Sequence, residues 1–495
     1  MQQTHASGSR RWPLAIAVGA LSATVAFTVG GVSTAAAGDD NRGQGARDQD
    51  EAQNAILFIG DGMGAVARNA GALATVGLDG SLVMDNLPYA GLVKTDSADP
   101  EGFITDSAAS ATSYATGVKT YNGAIGLDAA GNEVETLIEQ AEAAGLSTGL
   151  VTTGEITDAS TAAFGAHVAD RGQQTEIARQ YIEETGVDVL LGGGEDFWYP
   201  AGDEGAIEGG ESQSDQGDLV QRAEELGYEH VSDAEGLAAA ESEQLLGLFA
   251  NRTMFVSEPE PVGTNDRIVS LEQMTQKAIE ILSQNEKGFL LIIEEEAVDE
   301  QAHANNAEKT IEAVALMDEA VAVAKEFAEQ DDDTLLVTTA DHETGGMAVE
   351  DTGTEDESGI APSTADGPFD VADSEYQFVV DWTTSGHTNV DVPLTAMGPG
   401  AERLTGYFEN TFVHQVIQES LFSGEADGGN NPGTVVARNQ VMRWLHRVDF
   451  PVAGSDLVQA VRDRGAPEAV VAELERRLGD KKFAGIDDVT RALDR

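Results

Sequence analysis

Six short apolar runs, at residues 55–59, 148–152, 187–191, 289–293, 334–338 and 392–397, alternate along the chain with stretches of helical apolar spacing, clearest at 134–144 and 308–328. Runs of this length, apolar almost throughout, suit strands buried on both faces, which occur where helices cover both sides of a sheet. Alternation of such strands with helices joins neighbours in parallel, because an antiparallel pair can close with a hairpin. The expected architecture is α/β: a mostly parallel central sheet flanked by helices on both faces. With 495 residues, 41% of them hydrophobic, one large domain with appendages fits the length.

Ligands of open α/β sheets collect beyond the carboxyl ends of the strands, so the polar residues that follow each apolar run carry the chemistry. The first run ends in Gly60-Asp61-Gly62-Met63-Gly64, a carboxylate between glycines that permit close backbone approach. Read alone, Asp61 could equally cap the next helix. Ser107 opens a run of small residues reaching to about Thr116, which places its hydroxyl near a helix N-terminus, where free N–H groups and the dipole favour an anion. Taken singly, an N-cap serine explains it as well. Further clusters sharpen both readings: Glu294, Asp299 and His303 follow the run 289–293, Asp341 and His342 follow 334–338, and His387 precedes 392–397. Asp299 and His303 are four apart, on one side of a helical turn and suited to a shared zinc ion. The chain has no cysteine, so any metal must be held by His, Asp, Glu or hydroxyl oxygen.

Asp and Glu number 87 against 28 Lys and Arg, a formal charge of −59, which excludes the basic face that nucleic-acid binding needs and suits a hydrated surface in salty surroundings. Residues 1–37 read as a signal peptide: Ser9-Arg10-Arg11-Trp12 suggests twin-arginine export, 14–32 is apolar, and Ala35, Ala36 and Ala37 form a small-residue cleavage site. Residues 38–54 are expected to be a flexible leader and 55–423 the catalytic domain, with acidic surface insertions at 201–218 and 350–373. A linker at 424–435 precedes a near-neutral module at 436–495, which holds 11 Lys plus Arg against 10 Asp plus Glu. Helical spacing there covers 440–445, 455–464, 467–478 and 486–493, with Ser455 and Asp487 as candidate N-caps. The module is similar to a small helical domain of unknown function.

The Gly60–Gly64 turn, the Asp106-Ser107-Ala108 segment and Thr339-Ala340-Asp341-His342-Glu343 together resemble the alkaline phosphatase family, over about residues 55–421. The resemblance implies a phosphomonoesterase with two Zn2+ and one Mg2+ per chain, acting through a phosphoserine on Ser107. One zinc would take Asp299, His303 and His387, and the second Asp61, Asp341 and His342. Magnesium would take Asp61, Asp158, Ser160 and Glu294, Asp61 bridging; Glu294 is chosen from the run Glu294-Glu295-Glu296 because its five-residue spacing to Asp299 fits the family. Arg171 matches the arginine whose planar fork grips substrate phosphate. His167 is read as structural, a neutral histidine packed on a helix. Relatives are often homodimers, so a dimer is expected, with small phosphate monoesters as substrates and no stable membrane association after signal cleavage.

This sequence departs from the family in two places: Ser160 replaces a threonine, keeping the hydroxyl, and Glu300 stands where several relatives carry Lys, His or Trp near the bound phosphate. A diesterase or sulfatase of the same superfamily is the nearest alternative, but the Cys/Ser-x-Pro-x-Arg segment of sulfatases is absent around Ser107, and diesterases commonly lack the arginine and magnesium set. An acidic, calcium-dependent scaffold is the non-enzyme alternative, and it leaves Ser107, Arg171 and three histidines without a task.

Overall fold

The computed structural model describes residues 51–255, 268–352, 365–422, 452–463, 468–479, 481–483 and 489. Within 51–422 the strands are β1 Asn54–Gly60, β2 Tyr89–Lys94, β3 Ser147–Glu155, β4 Val189–Gly193, β5 Glu229–Val231, β6 Leu245–Leu248, β7 Phe289–Glu295, β8 Thr334–Ala340, β9 Glu343–Thr344, β10 Met347–Asp351, β11 Asp366–Asp370, β12 Gln377–Trp382, β13 His387–Thr388, β14 Val392–Met397 and β15 Gly406–Glu409. Ten of them form one sheet in the order β15-β2-β14-β8-β1-β7-β3-β4-β6-β5. Its pairings are parallel except those of β14, which runs antiparallel to both β2 and β8. The mostly parallel sheet read from the apolar runs is therefore present, and all six runs are strands in it.

Every residue of β1, β7 and β8 is buried, which explains why these strands read as continuous apolar runs with no alternation. Helices Ala65–Thr75, Leu271–Leu282 and Ala307–Asp331 pack on one another, and Ser107–Thr116, Leu137–Ala144, Ala159–Gly165 and Asn410–Phe422 form a second packed group. Members of both groups lie against β1 and β7, so the groups cover opposite faces of the sheet.

The helix expected at 134–144 starts later, at Leu137, because Thr136 caps it: the Thr136 hydroxyl accepts from Glu139 N–H at 3.2 Å and the Glu139 carboxylate accepts from Thr136 N–H at 2.8 Å. The segment 350–373 is only partly a surface insertion. Its last residues include β11, which joins β10 and β12 in an antiparallel sheet that buries Val371, Phe378 and Val380. The segment 201–218 has turns and no strand or helix, and it is anchored where the Glu195 carboxylate accepts from Ala206 and Ile207 N–H and that of Asp196 accepts from Glu211 N–H.

In the tail, helices Gly454–Asp463 and Glu468–Leu478 match two of the expected segments, with Ser455 inside the first helix instead of capping it. The signal peptide, most of the leader, the linker at 424–435, the helix at 440–445, Asp487 and nearly all of 486–493 lie outside the described residues. Asn54, counted with the leader, already belongs to β1. No helix among the described residues is long and apolar enough to cross a membrane.

One acid in this scaffold makes stability depend on pH. Burial pushes the Glu142 carboxyl up to about 8 from its ordinary 4.5, against the opposing hydrogen bond from the Thr148 hydroxyl and with the Asp188 charge adding to it. The folded chain then keeps a proton that the unfolded chain releases, so stability falls as pH rises from 4.5 to about 8. Glu142→Gln, which stays neutral, is expected to lose less of its unfolding temperature between pH 5 and pH 8 than wild type does. Parallel curves for the two proteins would remove Glu142 as a source of that slope.

Candidate metal centre

The antiparallel direction of β14 brings the centre together. Register pairs Thr395 of β14 with Thr338 of β8, so the chain that enters β14 approaches from the carboxyl end of β8. His387, which precedes β14, therefore lies at the same sheet edge as the residues that leave β1, β7 and β8. There Gly60 is level with Glu295 and Ala340, and Glu294 with Ile59 and Thr152, placing Asp61, Glu294 and Asp341 on adjacent strand exits.

Asp299 and His303 come from the helix Ala297–His303, directly after β7. The Nδ1–H of His303 donates to Ser385 C=O at 2.7 Å and that of His387 to Thr105 C=O at 2.9 Å. A carbonyl only accepts, so these bonds fix the tautomers and leave Nε2 of each ring with its lone pair free. The two Nε2 atoms face each other at 3.1 Å, with Asp299 Oδ2 3.1 Å from His303 Nε2 and Asp299 Oδ1 3.7 Å from His387 Nε2. Two lone pairs and a carboxylate at such distances require a positive charge between them. A proton meets part of the demand: the hydrogen bond to Asp299 raises His303 to about 9, against the effect of burial. Burial would lift Asp299, but its bond to His303 and the charges of His342 and His387 hold it well below the usual carboxylate range.

A second cluster surrounds His342, which is fully buried and stacked on His387 with ring centroids 3.6 Å apart. Its Nε2 lies 3.2 Å from Ser107 Oγ, 3.2 Å from Asp341 Oδ2 and 3.4 Å from Asp61 Oδ1. Asp341 Oδ2 and Asp61 Oδ1 are both buried without a hydrogen-bond partner. The other Asp341 oxygen, Oδ1, accepts from Gly62 N–H at 3.1 Å and His342 N–H at 2.9 Å. Burial first, then the charges of Asp341, Asp299 and Glu294, push Asp61 well above the usual carboxylate range, while burial pulls His342 down. Buried, unpartnered oxygens beside a neutral imidazole fit a divalent cation with oxygen and nitrogen ligands.

The sets whose ligand atoms all lie within 4.8 Å of one another are Asp299, His303 and His387, and Asp61, Asp299 and His342. Asp299, expected on one ion only, is thus close to both, and Asp341 reaches the second through Oδ2. The expected magnesium residues are looser. Glu294 Oε2 accepts from Thr152 Oγ1 at 2.6 Å, and burial, eased by the Ser160 and Thr152 hydroxyls, raises Glu294 to about 8. The buried Ser160 Oγ has no well-formed hydrogen bond. Among the described residues no compact set joins Asp61, Asp158 and Glu294, as suits an ion that keeps several of its waters.

Ser107 is the first residue of the helix Ser107–Thr116, and its N-cap is Asp106, whose carboxylate accepts from Ala109 N–H at 2.9 Å. All ten residues of this helix are buried, which its Ala, Ser and Thr side chains allow. Ser110 Oγ donates to Asp341 C=O at 2.7 Å and Tyr114 Oη to Ala340 C=O at 2.9 Å, tying the helix to the exit of β8. Arg171 Nη2 donates to Asp158 Oδ1 at 2.7 Å, and Nη1 lies 3.6 Å from Asp106 Oδ2. Asp158 caps the helix Ala159–Gly165, so Arg171 is positioned by two N-terminal carboxylates.

His167 lies outside this cluster. It follows the helix instead of packing on one, donates Nδ1–H to Gly126 C=O at 2.8 Å and pairs with Glu139 at 3.1 Å. Burial lowers its pKa, but the Glu139 carboxylate more than offsets that and leaves it raised, so it is a charge-paired rather than a neutral structural residue. Sequence reading also missed Thr152, Thr344 and the carbonyls of Thr105 and Ser385, which orient the ligands; Thr344 Oγ1 bonds Asp299 and lies 3.2 Å from His342 Nδ1. Threonines and backbone carbonyls are too common for their positions to stand out in a single chain.

Residues 52–372 match the family model for alkaline phosphatase, and residues 436–490 match a protein family of unknown function (DUF2795). Alkaline phosphatase 4 of Bacillus subtilis (strain 168) is 31% identical over 436 residues, covering 77% of this chain and 91% of its own length. The alkaline phosphatase of Escherichia coli (strain K12) is 34% identical over 420 residues, covering 75% and 86%. Among solved structures, the alkaline phosphatase from the Antarctic bacterium TAB5 matches with a TM-score of 0.61 and 29% identity over 75% of this chain and 98% of that one. A cold-active alkaline phosphatase from Shewanella sp. matches with a TM-score of 0.62 and 30% identity, over 74% and 99%.

Because buried carboxylates repel one another until a cation joins them, zinc added to the chelator-stripped protein is expected to raise its unfolding temperature. At about a thousandfold excess over the dissociation constant the gain is about 4 kcal/mol. Asp299→Ala, which removes the residue common to both compact sets, is expected to abolish most of it. An undiminished gain in that variant would place the stabilising metal elsewhere.

Proposed function

The chain belongs to the alkaline phosphatase family, and its members are phosphoric monoester hydrolases; on that premise we propose that it releases inorganic phosphate from monoesters through a phosphoserine on Ser107. The observation that carries this reading is the placement of Ser107 Oγ 3.2 Å from His342 Nε2, inside a ring of unpartnered carboxylate oxygens at a helix N-terminus. In the proposed centre Asp299, His303 and His387 hold one zinc ion, and Asp61, Asp341 and His342 hold the other. Magnesium takes Asp61, Asp158, Ser160 and Glu294. Bound there, these cations supply the Lewis-acid charge that favours ionised serine and a departing oxygen.

Ser107 Oγ attacks phosphorus in line, forming its P–O bond as the ester P–O bond breaks, and the alcohol leaves. Water then attacks the phosphoserine from the same side as the departed alcohol, the Ser107–phosphorus bond breaks and phosphate is released. Arg171, held by Asp158 and Asp106, presents its fork to two phosphate oxygens throughout, and the N–H groups that open the serine helix add partial positive charge. Export to salty surroundings is part of the same proposal, supported by the Arg10-Arg11 leader and the −59 formal charge.

Release of p-nitrophenol from its phosphate ester, at alkaline pH in high salt after zinc and magnesium loading, tests the serine. Ser107→Ala is expected to lose about a hundredfold or more in kcat; activity retained there would remove Ser107 as nucleophile. Glu300 gives a separate test. An acid next to Asp299 disfavours a bound anion, so Glu300→Lys is expected to bind product phosphate severalfold more tightly at low salt, by a margin of about 1 kcal/mol. Equal or weaker inhibition of that variant by inorganic phosphate would count against the role given to Glu300.

A further inference from the structure

Beside Arg171 lies a cavity of about 460 Å³ whose walls include Glu155, Asp158, Arg252, Glu296 and Glu300. Four carboxylates and two guanidinium groups meet there, and the pairing among them is uneven. Arg252 Nε lies 2.6 Å from Glu155 Oε1, with its guanidinium 4.5 Å over the Phe197 ring. Arg171 is committed to Asp158 and Asp106. Both arginines are thus matched by acids other than Glu296 and Glu300. Glu296 is only 6% exposed, and its Oε2 has no hydrogen-bond partner. That oxygen occupies the space beside Gly154 where a side chain would begin, at 1.1 Å from the position of a Cβ, so this wall of the cavity has been left open to a carboxylate.

A buried acid oxygen with no donor calls for a positively charged partner. The volume decides which kind. The cavity has the size of a small-molecule site, within the usual range of about 300–1,000 Å³, and the compact sets suited to a bare ion are those around His303 and His342 instead. Arg171 and Asp158 line this cavity and also belong to the phosphate cradle, so a group attached to the esterified alcohol can reach it while the phosphate is held. Resting on the hydrolase reading, we propose that this cavity is a subsite for an alkylammonium group on the alcohol part of the substrate, with Glu296 and Glu300 as its counter-charges.

Phosphorylcholine and 3,3-dimethylbutyl phosphate are nearly the same shape and differ in that charge, so their relative kcat/KM reads the subsite directly. At fixed ionic strength wild type is expected to prefer phosphorylcholine, and Glu296→Gln to reduce that preference about tenfold. Turnover of 3,3-dimethylbutyl phosphate and p-nitrophenyl phosphate, and the zinc and magnesium content, are expected to stay as in wild type. Glu300→Gln, at a partly exposed position, is expected to reduce the same ratio if Glu296→Gln fails to fold. One charge in 59 leaves the overall field nearly unchanged, so a change in the ratio reports the local pair. An unchanged ratio in an enzyme still active on p-nitrophenyl phosphate would overturn the subsite and leave the hydrolase reading intact. Equal losses on both substrates with reduced metal content would overturn it too, by placing Glu296 in the metal centre. A loaded wild type inactive on all three esters would instead count against the hydrolase reading on which the subsite rests.

Discussion

Like charges buried side by side govern this molecule. Asp61, Glu294, Asp299 and Asp341 leave adjacent strands or follow them closely, and all four are buried at one edge of the sheet. Carboxylates in that setting must gain protons, histidinium partners or cations, because water is not present to screen them. The structure shows both of the first two responses: Asp61 and Glu294 are pushed up, and Asp299 is held down by the histidines around it. A metal satisfies every group at once, which is why the same residues that make the centre chemically useful make the chain dependent on its ions for stability.

The scaffold around these acids is chosen for closeness. Gly62 has φ of +66°, and a Cβ there would stand 2.6 Å from Asp299 Oδ1, so the β1 exit can pass beside the acids only as glycine. The serine helix does the same through its small residues, all buried, and its hydroxyls then find partners on the exit of β8. Outer hydrogen bonds from the Ser385 and Thr105 carbonyls fix which nitrogen each histidine offers. Rigid secondary structure sets the positions, and short polar contacts set the angles.

Much of this was legible in the chain because buried parallel strands leave a plain record: runs of apolar residues, with the chemistry placed just after them. Asp61, Glu294, Asp341 and His342 could be found that way, and Asp299 and His303 by their helical spacing. The readings that went astray share a cause. The start of the helix at Leu137 depended on a reciprocal cap, β11 depended on strand partners far along the chain, and the charge on His167 depended on Glu139, 28 positions away. Glu296 shows the same limit: within a run of three glutamates nothing local separates the one that bonds Thr153 from the one left without a partner.

The sequence by itself determined the class of fold, the supply of oxygen and nitrogen ligands in place of thiolates, and the candidate residues, since those follow from periodicity and residue chemistry within short windows. Tertiary structure alone decided which ligands meet. His387 precedes its strand while the other candidates follow theirs, and it joins them only because β14 runs antiparallel and begins at the edge where β1, β7 and β8 end. Strand direction is set by hydrogen bonding and packing with neighbours more than fifty residues away, and no local pattern records it.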